Sequence, residues 1–297
     1  MLRRCGVVGH PVQHSLSPAM HRAAYAALGL DWTYDAVDVA PGGLAEHVAS
    51  LDESWRALSV TAPHKRDALA LADVPDDVAL AVGGANTLLL GERVAAHNTD
   101  VAGVVAALQE RGVDAPRSVR IVGGGATATS VAAAVARMGA ASVELVVRDE
   151  ARAAQAAEVA TTAGLAVTVS DLADVAQHGG VDLLVSTVPT EAVAQHAERL
   201  VGAASAVFDV VYDPWPTPLA EATVAASRPL VNGLDLLAHQ AIAQVELMCG
   251  VVLRPGPGTP GGVVVRPGPG TPAGVDVGVD LLRDAAVAEL ARRSPTA

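Results

Sequence analysis

Lys65 is the only lysine among 297 residues; the other 19 basic side chains are arginine. An amine can trade a proton near neutral pH when its surroundings favour the uncharged form, and a guanidinium effectively cannot. Lys65 stands two residues after Pro63, which is suited to the first position of a helix. There the positive end of the helix dipole would oppose protonation of the amine. Chance survival in an arginine-biased chain is the plainer reading of a lone lysine. Ser15 and Ser17 are two residues apart in "HSLSP". On an extended segment both hydroxyls would face one side, as a carboxylate receptor requires; a capping turn before Pro18 is the alternative. Two of the three asparagines fall in Asn-Thr pairs twelve residues apart, Asn86-Thr87 and Asn98-Thr99. Asp100 closes "HNTD" at the mouth of an apolar helical run, where taken alone it reads as an N-cap.

A second group of residues points to a nucleotide. Gly123, Gly124, Gly125, Ala126, Thr127 and Ala128 contain a G-x-G-x-x-A pattern between the apolar run "VRIV" and the helical run "VAAAVARMG". Glycine permits a tight turn and close approach of backbone to a pyrophosphate, which then rests on the helix N-terminus. The alternative is a glycine-rich strand-to-helix turn without a ligand. An NAD site usually places Asp or Glu at the end of the next strand. Here Arg148 occupies that end, 23 residues after Gly125, and Arg152 follows four later. Two guanidiniums suit the 2′-phosphate of NADP, while Asp149 between them keeps NAD open. A solvated basic face is the other reading.

These residues need a scaffold, and the pattern predicts one of the α/β class. Apolar residues make up 51% of the chain but only seven side chains are aromatic. Small branched and methyl side chains in that proportion suit a sheet covered by Ala-rich helices. Strand and helix signals alternate over the first hundred residues, with "NTLLLGERVAA" as a hairpin candidate. From residue 119 the alternation tightens into βα units, which implies a doubly wound parallel sheet. "VDAPRS" is a polar break with the look of a crossing between domains. Near the C-terminus "RPGPGTPGGV" and "RPGPGTPAGV" repeat twelve residues apart, and their Pro and Gly content predicts a loop over 254–275 with neither helix nor ladder.

Composition also excludes classes of function. A formal charge of −12 argues against nucleic acid or an anionic membrane as partner. No apolar run reaches the length of a membrane span, and the N-terminus lacks a signal-peptide pattern. Cys5 and Cys249 are too few for a disulfide frame or a zinc site, which points to a reducing cytoplasm and no metal.

Six stretches, "GVVGHPVQHSLSPAMHRAAYAALGL", "VTAPHK", "GANTL", "NTDVAGV", "DVVYDPWPTPL" and "NGLDLLAHQA", together resemble the shikimate dehydrogenase family in order and spacing. The resemblance spans about residues 5 to 250. It implies an N-terminal α/β substrate domain, residues 1–102 completed by 235–297, and a Rossmann-like NADP-binding domain, residues 103–234. It implies reduction of 3-dehydroshikimate with NADPH by a monomer or homodimer. By the same resemblance Lys65 and Asp100 match the catalytic pair, and Ser15 and Ser17 match the serines that hold the substrate carboxylate. Thr61, Asn86, Tyr212 and Gln240 match its other polar contacts. Residues 123–128 match the pyrophosphate turn, Arg148 and Arg152 the 2′-phosphate arginines, and Gly233 a glycine near the nicotinamide. Four departures stand out: Ser59 where the family often has Asn, Asp149 in the 2′-phosphate motif, Asp235 in place of a frequent glycine, and the PGPGTP insertion, which has no expected counterpart. Rival readings are a quinate enzyme using NAD, a non-catalytic ligand sensor, and a folate-linked dehydrogenase; the serine pair and "NTD" suit a pterin poorly.

Overall fold

The protein was analysed as a computed structural model that describes residues 3–173, 179–255, 263–266 and 277–293. The chain divides into two compact units, Met1–Thr99 with Leu237–Ala297, and Asp100–Leu236. The "VDAPRS" break lies inside the second unit.

In the first unit the elements run β1 (Arg3–Gly9), α1 (Ser17–Ala27), β2 (Trp32–Asp38), α2 (Leu44–Ala49), β3 (Trp55–Val60), α3 (Lys65–Ala70), β4 (Val74–Pro75), α4 (Asp77–Val82), β5 (Thr87–Leu89) and β6 (Ala95–His97). They form one sheet ordered β2-β1-β3-β5-β6-β4. β1 pairs in parallel with β2 and β3, whereas β5 runs antiparallel to both β3 and β6. The predicted hairpin is therefore present. This mixed direction matters, because the ends of β1, β3 and β6 and the start of β5 all reach the same edge of the sheet. Buried side chains line both faces of the sheet, with Val8, Leu58, Leu88 and Ala96 fully enclosed on one and Cys5, Ala57 and Tyr34 on the other.

The second unit contains α5 (Asp100–Glu110), β7 (Ser118–Val122), α6 (Ala126–Arg137), β8 (Ser142–Val147), α7 (Ala154–Thr162), β9 (Ala166–Asp171), β10 (Val181–Ser186), α8 (Ala197–Gly202), β11 (Ala204–Asp209), α9 (Pro218–Ala225) and β12 (Leu230–Asn232). Its sheet order is β12-β11-β10-β7-β8-β9, with every pair parallel. That is the doubly wound order, and the direction of winding reverses between β7 and β10, where ligands of such sheets bind.

α10 (Gly233–Cys249) leads back to the first unit and is followed by β13 (Val252–Pro255), β14 (Val263–Arg266) and α11 (Val279–Arg293). The loop expected over 254–275 is corrected in part. Arg254 pairs with Val264 and Pro255 with Val263 in an antiparallel ladder. Valines flank the Pro-Gly segments and favour extended backbone, while Pro255 ends its strand, a position that tolerates a missing N–H. Residues 256–262 and 267–276, which hold most of the repeat, lie outside the described residues.

Candidate active site

The sheet edge of the first unit gathers Ser15, Ser17, Thr61, Lys65 and Asn86. Thr61 follows β3 directly, and its N–H donates to the Val8 carbonyl at 2.9 Å. Pro63 is not the first helical residue. It lies in a turn, and the six-residue α3 begins at Lys65 itself, with His64 as N-cap. Lys65 is half-buried. Its carbonyl accepts the Ala85 N–H at 2.8 Å, one residue before Asn86, and a Cβ on Gly84 would stand 3.4 Å from the Lys65 Cβ. The start of α3 is thereby locked to the start of β5.

Ser15 and Ser17 are not on an extended segment. Ser17 opens α1, and Ser15 Oγ accepts the Ser17 N–H at 3.3 Å, so a turn places the two hydroxyls. Pro18, at the start of the helix, favours that turn over continued strand. Ser17 is buried. Arg293, the last residue of α11, braces the turn by donating from Nη2 to the Ser15 carbonyl at 3.0 Å, and Glu289 accepts its Nε at 2.7 Å.

Asn86 is 2% exposed. Its Oδ1 accepts the Thr99 N–H at 2.9 Å and the Thr87 hydroxyl at 3.0 Å. Its Nδ2 donates to Thr99 Oγ1 at 2.9 Å and to Gln240 Oε1 at 3.2 Å. A backbone N–H on Oδ1 settles which way the amide points, and both Nδ2 protons go to protein acceptors, so a ligand meets this side chain as a donor only by displacing one of them. Gln240, from α10, thus joins the cluster. Ser59 does not: it is 4% exposed, its hydroxyl donates to Gln244 Oε1 at 2.9 Å, and it accepts from Tyr34 at 2.6 Å. Behind Tyr34, His21 stacks at 4.1 Å between ring centroids. Its Nδ1 donates to the Ser17 carbonyl at 2.9 Å, and burial pulls its pKa down to about 4.

The second unit holds Asp100 and Tyr212. Asp100 opens α5 and is 8% exposed. One peptide bond joins it to Thr99, whose N–H Asn86 holds. Tyr212 is half-buried after β11. Gly233 packs so closely that a Cβ would meet the Val210 carbonyl oxygen at 2.1 Å and Tyr212 Cδ1 at 3.0 Å. Asp235, the residue that departs from glycine, is fully buried and paired in two-pronged fashion with Arg111, at 2.7 and 3.2 Å. Sequence reasoning had no partner for it.

The glycine turn stands where the winding reverses. Gly123 has φ +116°, and a Cβ there would meet Thr187 Oγ1 at 2.2 Å; one on Gly124 would meet the Arg152 carbonyl oxygen at 2.3 Å. Only glycine fits both positions. Above Gly125 nothing lies within 4 Å, and α6 begins at Ala126. Thr127 is half-buried and Ala128 fully buried. A cavity of about 430 Å³ opens over this turn, lined by the three glycines, Val147, Arg148, Arg152, Thr187 and Val188 among others. Both arginines thus line one cavity. Asp149 turns to another task, with its carboxylate accepting the Ala151 N–H at 3.0 Å as the cap of the 3-10 turn Glu150–Ala153. A cradle of bare backbone, a helix N-terminus and two guanidiniums fits a dinucleotide carrying a 2′-phosphate.

Fold and site together define a two-unit α/β protein of the dinucleotide-binding dehydrogenase type. The profile of the shikimate dehydrogenase substrate binding domain matches residues 7–88. A shikimate dehydrogenase (NADP(+)) of Methanocella arvoryzae is 34% identical over 84% of this chain and 94% of its own. One from Moorella thermoacetica is 36% identical over 82% and 87%. The crystal structure of a shikimate 5-dehydrogenase from Mycobacterium fortuitum superimposes with TM-score 0.78 at 36% identity, covering 96% of this chain and 98% of that one. The chain belongs to the shikimate dehydrogenase family. Among the described residues, no helix is long and apolar enough to cross a membrane.

Proposed function

We propose that this chain is an NADP-dependent shikimate dehydrogenase, interconverting 3-dehydroshikimate and shikimate for aromatic amino acid biosynthesis in the cytoplasm, as a monomer or homodimer. When bound, NADPH supplies the hydride that reduces the ketone. Residues 123–128 would hold its pyrophosphate, Arg148 and Arg152 its 2′-phosphate, and Gly233 would lie near its nicotinamide. Lys65 gives the carbonyl oxygen its proton and takes it back in the reverse direction, stabilising the negative charge that hydride attack creates. Asp100 serves as the carboxylate partner of that amine. Ser15 and Ser17 receive the substrate carboxylate, and Thr61, Asn86, Tyr212 and Gln240 read its hydroxyls.

The observation that carries this reading is the 2.8 Å bond from Ala85 N–H to the Lys65 carbonyl. It joins the chain's single lysine to the amide that reads hydroxyls, so that a hydroxyl ring seated on Asn86 lies beside the start of α3. Two free, largely buried cysteines suit a reducing compartment. Steady-state oxidation of shikimate and of quinate, each with NADP and with NAD, tests the proposal. Shikimate with NADP is expected to give the highest kcat/KM. Preference for quinate with NAD favours the rival enzyme, and no turnover of either acid the sensor.

A further inference from the structure

We propose that Gln244, acting with Ser59 and Tyr34, positions Asn86 for recognition of a substrate hydroxyl; the inference rests on the shikimate reading above. Gln244 is 1% exposed and lies one helical turn past Gln240 on α10. Its amide is fully committed inside the protein. Oε1 accepts from Ser59 at 2.9 Å, while Nε2 donates to the Asn86 carbonyl at 3.0 Å and to Thr87 Oγ1 at 3.0 Å.

These bonds run in one direction only. A carbonyl oxygen can only accept, so Gln244 must turn Nε2 toward Asn86 and Oε1 toward Ser59. Ser59 then donates to Gln244 and accepts the Tyr34 proton at 2.6 Å. Thr87 accepts from Gln244, which sends the Thr87 proton to Asn86 Oδ1. With Oδ1 filled by the Thr87 hydroxyl and the Thr99 N–H, a ligand hydroxyl can meet Asn86 only at Nδ2, where it takes over a proton now given to Thr99 Oγ1 or Gln240 Oε1. Side chains from β2, β3 and α10 thus add to the Thr99 N–H in holding the hydrogen-bonding face of one buried amide that a ligand meets. A linkage that merely glued the sheet to the helix would need no such order. Gln244 is a positioning residue, because it meets the substrate through Asn86 alone.

Gln244→Glu tests this, since it preserves size and the acceptor for Ser59 but sets a carboxylate oxygen against the Asn86 carbonyl. KM for shikimate is expected to rise about 10-fold, near 1.4 kcal/mol, with kcat changed less than about 3-fold and KM for NADP unchanged. Two shikimate analogues, each lacking one of the ring hydroxyls that are not oxidised, provide the decisive readout. For one of them wild type and variant should share the same KM, because the bond that Gln244 prepares is already missing. Tyr34→Phe, which removes a single O–H, should show the same pattern more weakly and serves if Gln244→Glu does not fold. An unchanged KM for shikimate, or an equal rise on shikimate and both analogues, overturns the proposal. Failure of the wild type to oxidise shikimate would refute the functional reading instead.

Discussion

Asn86 in the first unit has three side-chain partners within 3.2 Å, each fixing the orientation of the next. Gly124 in the second unit is surrounded by so little space that a single methyl would come within 2.3 Å of a carbonyl oxygen. The first arrangement orders chosen donors and acceptors; the second removes side chains so that backbone and helix terminus are exposed. Substitutions should therefore act differently in the two places. In the hydrogen-bonded cluster losses are graded by bond, and in the glycine turn they are steric and abrupt.

Four experiments press on that contrast, beginning with the largest effect. Lys65→Arg keeps a cation at α3 but removes its ability to release a proton, so kcat should fall about 100-fold or more. Both KM values should stay within a few fold, and turnover near wild type would remove Lys65 from the chemistry. Gly124→Ala should raise KM for NADP on the order of 30-fold through displaced backbone. Affinity for shikimate, measured by direct binding, should not follow; a matching loss would mean that the two regions do not act separately. Arg148→Ala and Arg152→Ala should each raise KM for NADP about 10-fold while leaving KM for NAD unchanged. An equal rise with both cofactors would show that these arginines do not read the 2′-phosphate.

The fourth experiment reads stability rather than kinetics and concerns His21. Its folded pKa, about 4, lies below the usual value of 6.5, so the unfolded chain binds the additional proton first. Stability from this residue is present above pH 6.5 and is lost as pH falls toward 4, by an amount on the order of 3 kcal/mol. Urea unfolding at pH 7 and pH 4.5 measures it, and His21→Gln should flatten the difference. An unflattened slope would assign the acid sensitivity elsewhere.

What could be read in advance follows the same division. The glycine turn depends on a few consecutive residues between a strand and a helix, and the hairpin of β5 and β6 on two short apolar runs; both were legible. The turn at Ser15 and Ser17 was read with two outcomes, and the position of Pro18 decided between them. Pro63 was misjudged because a helix of only six residues leaves a weak periodic signal. The bonds of Ser59 to Gln244 and of Arg111 to Asp235 join residues 185 and 124 positions apart. No local pattern encodes such pairs, since only the tertiary fold brings α10 to each partner. Ser59 and Asp235, noticed as departures from a family pattern, were the available hints that something distant would answer them.

The brace from Arg293 to the Ser15 carbonyl has a consequence for synthesis. A ribosome must add 278 further residues after Ser15 before its partner exists. The turn proposed to grip the substrate's carboxylate leaves the ribosome well before the arginine that ties it down, and the intervening sheets have time to form in between.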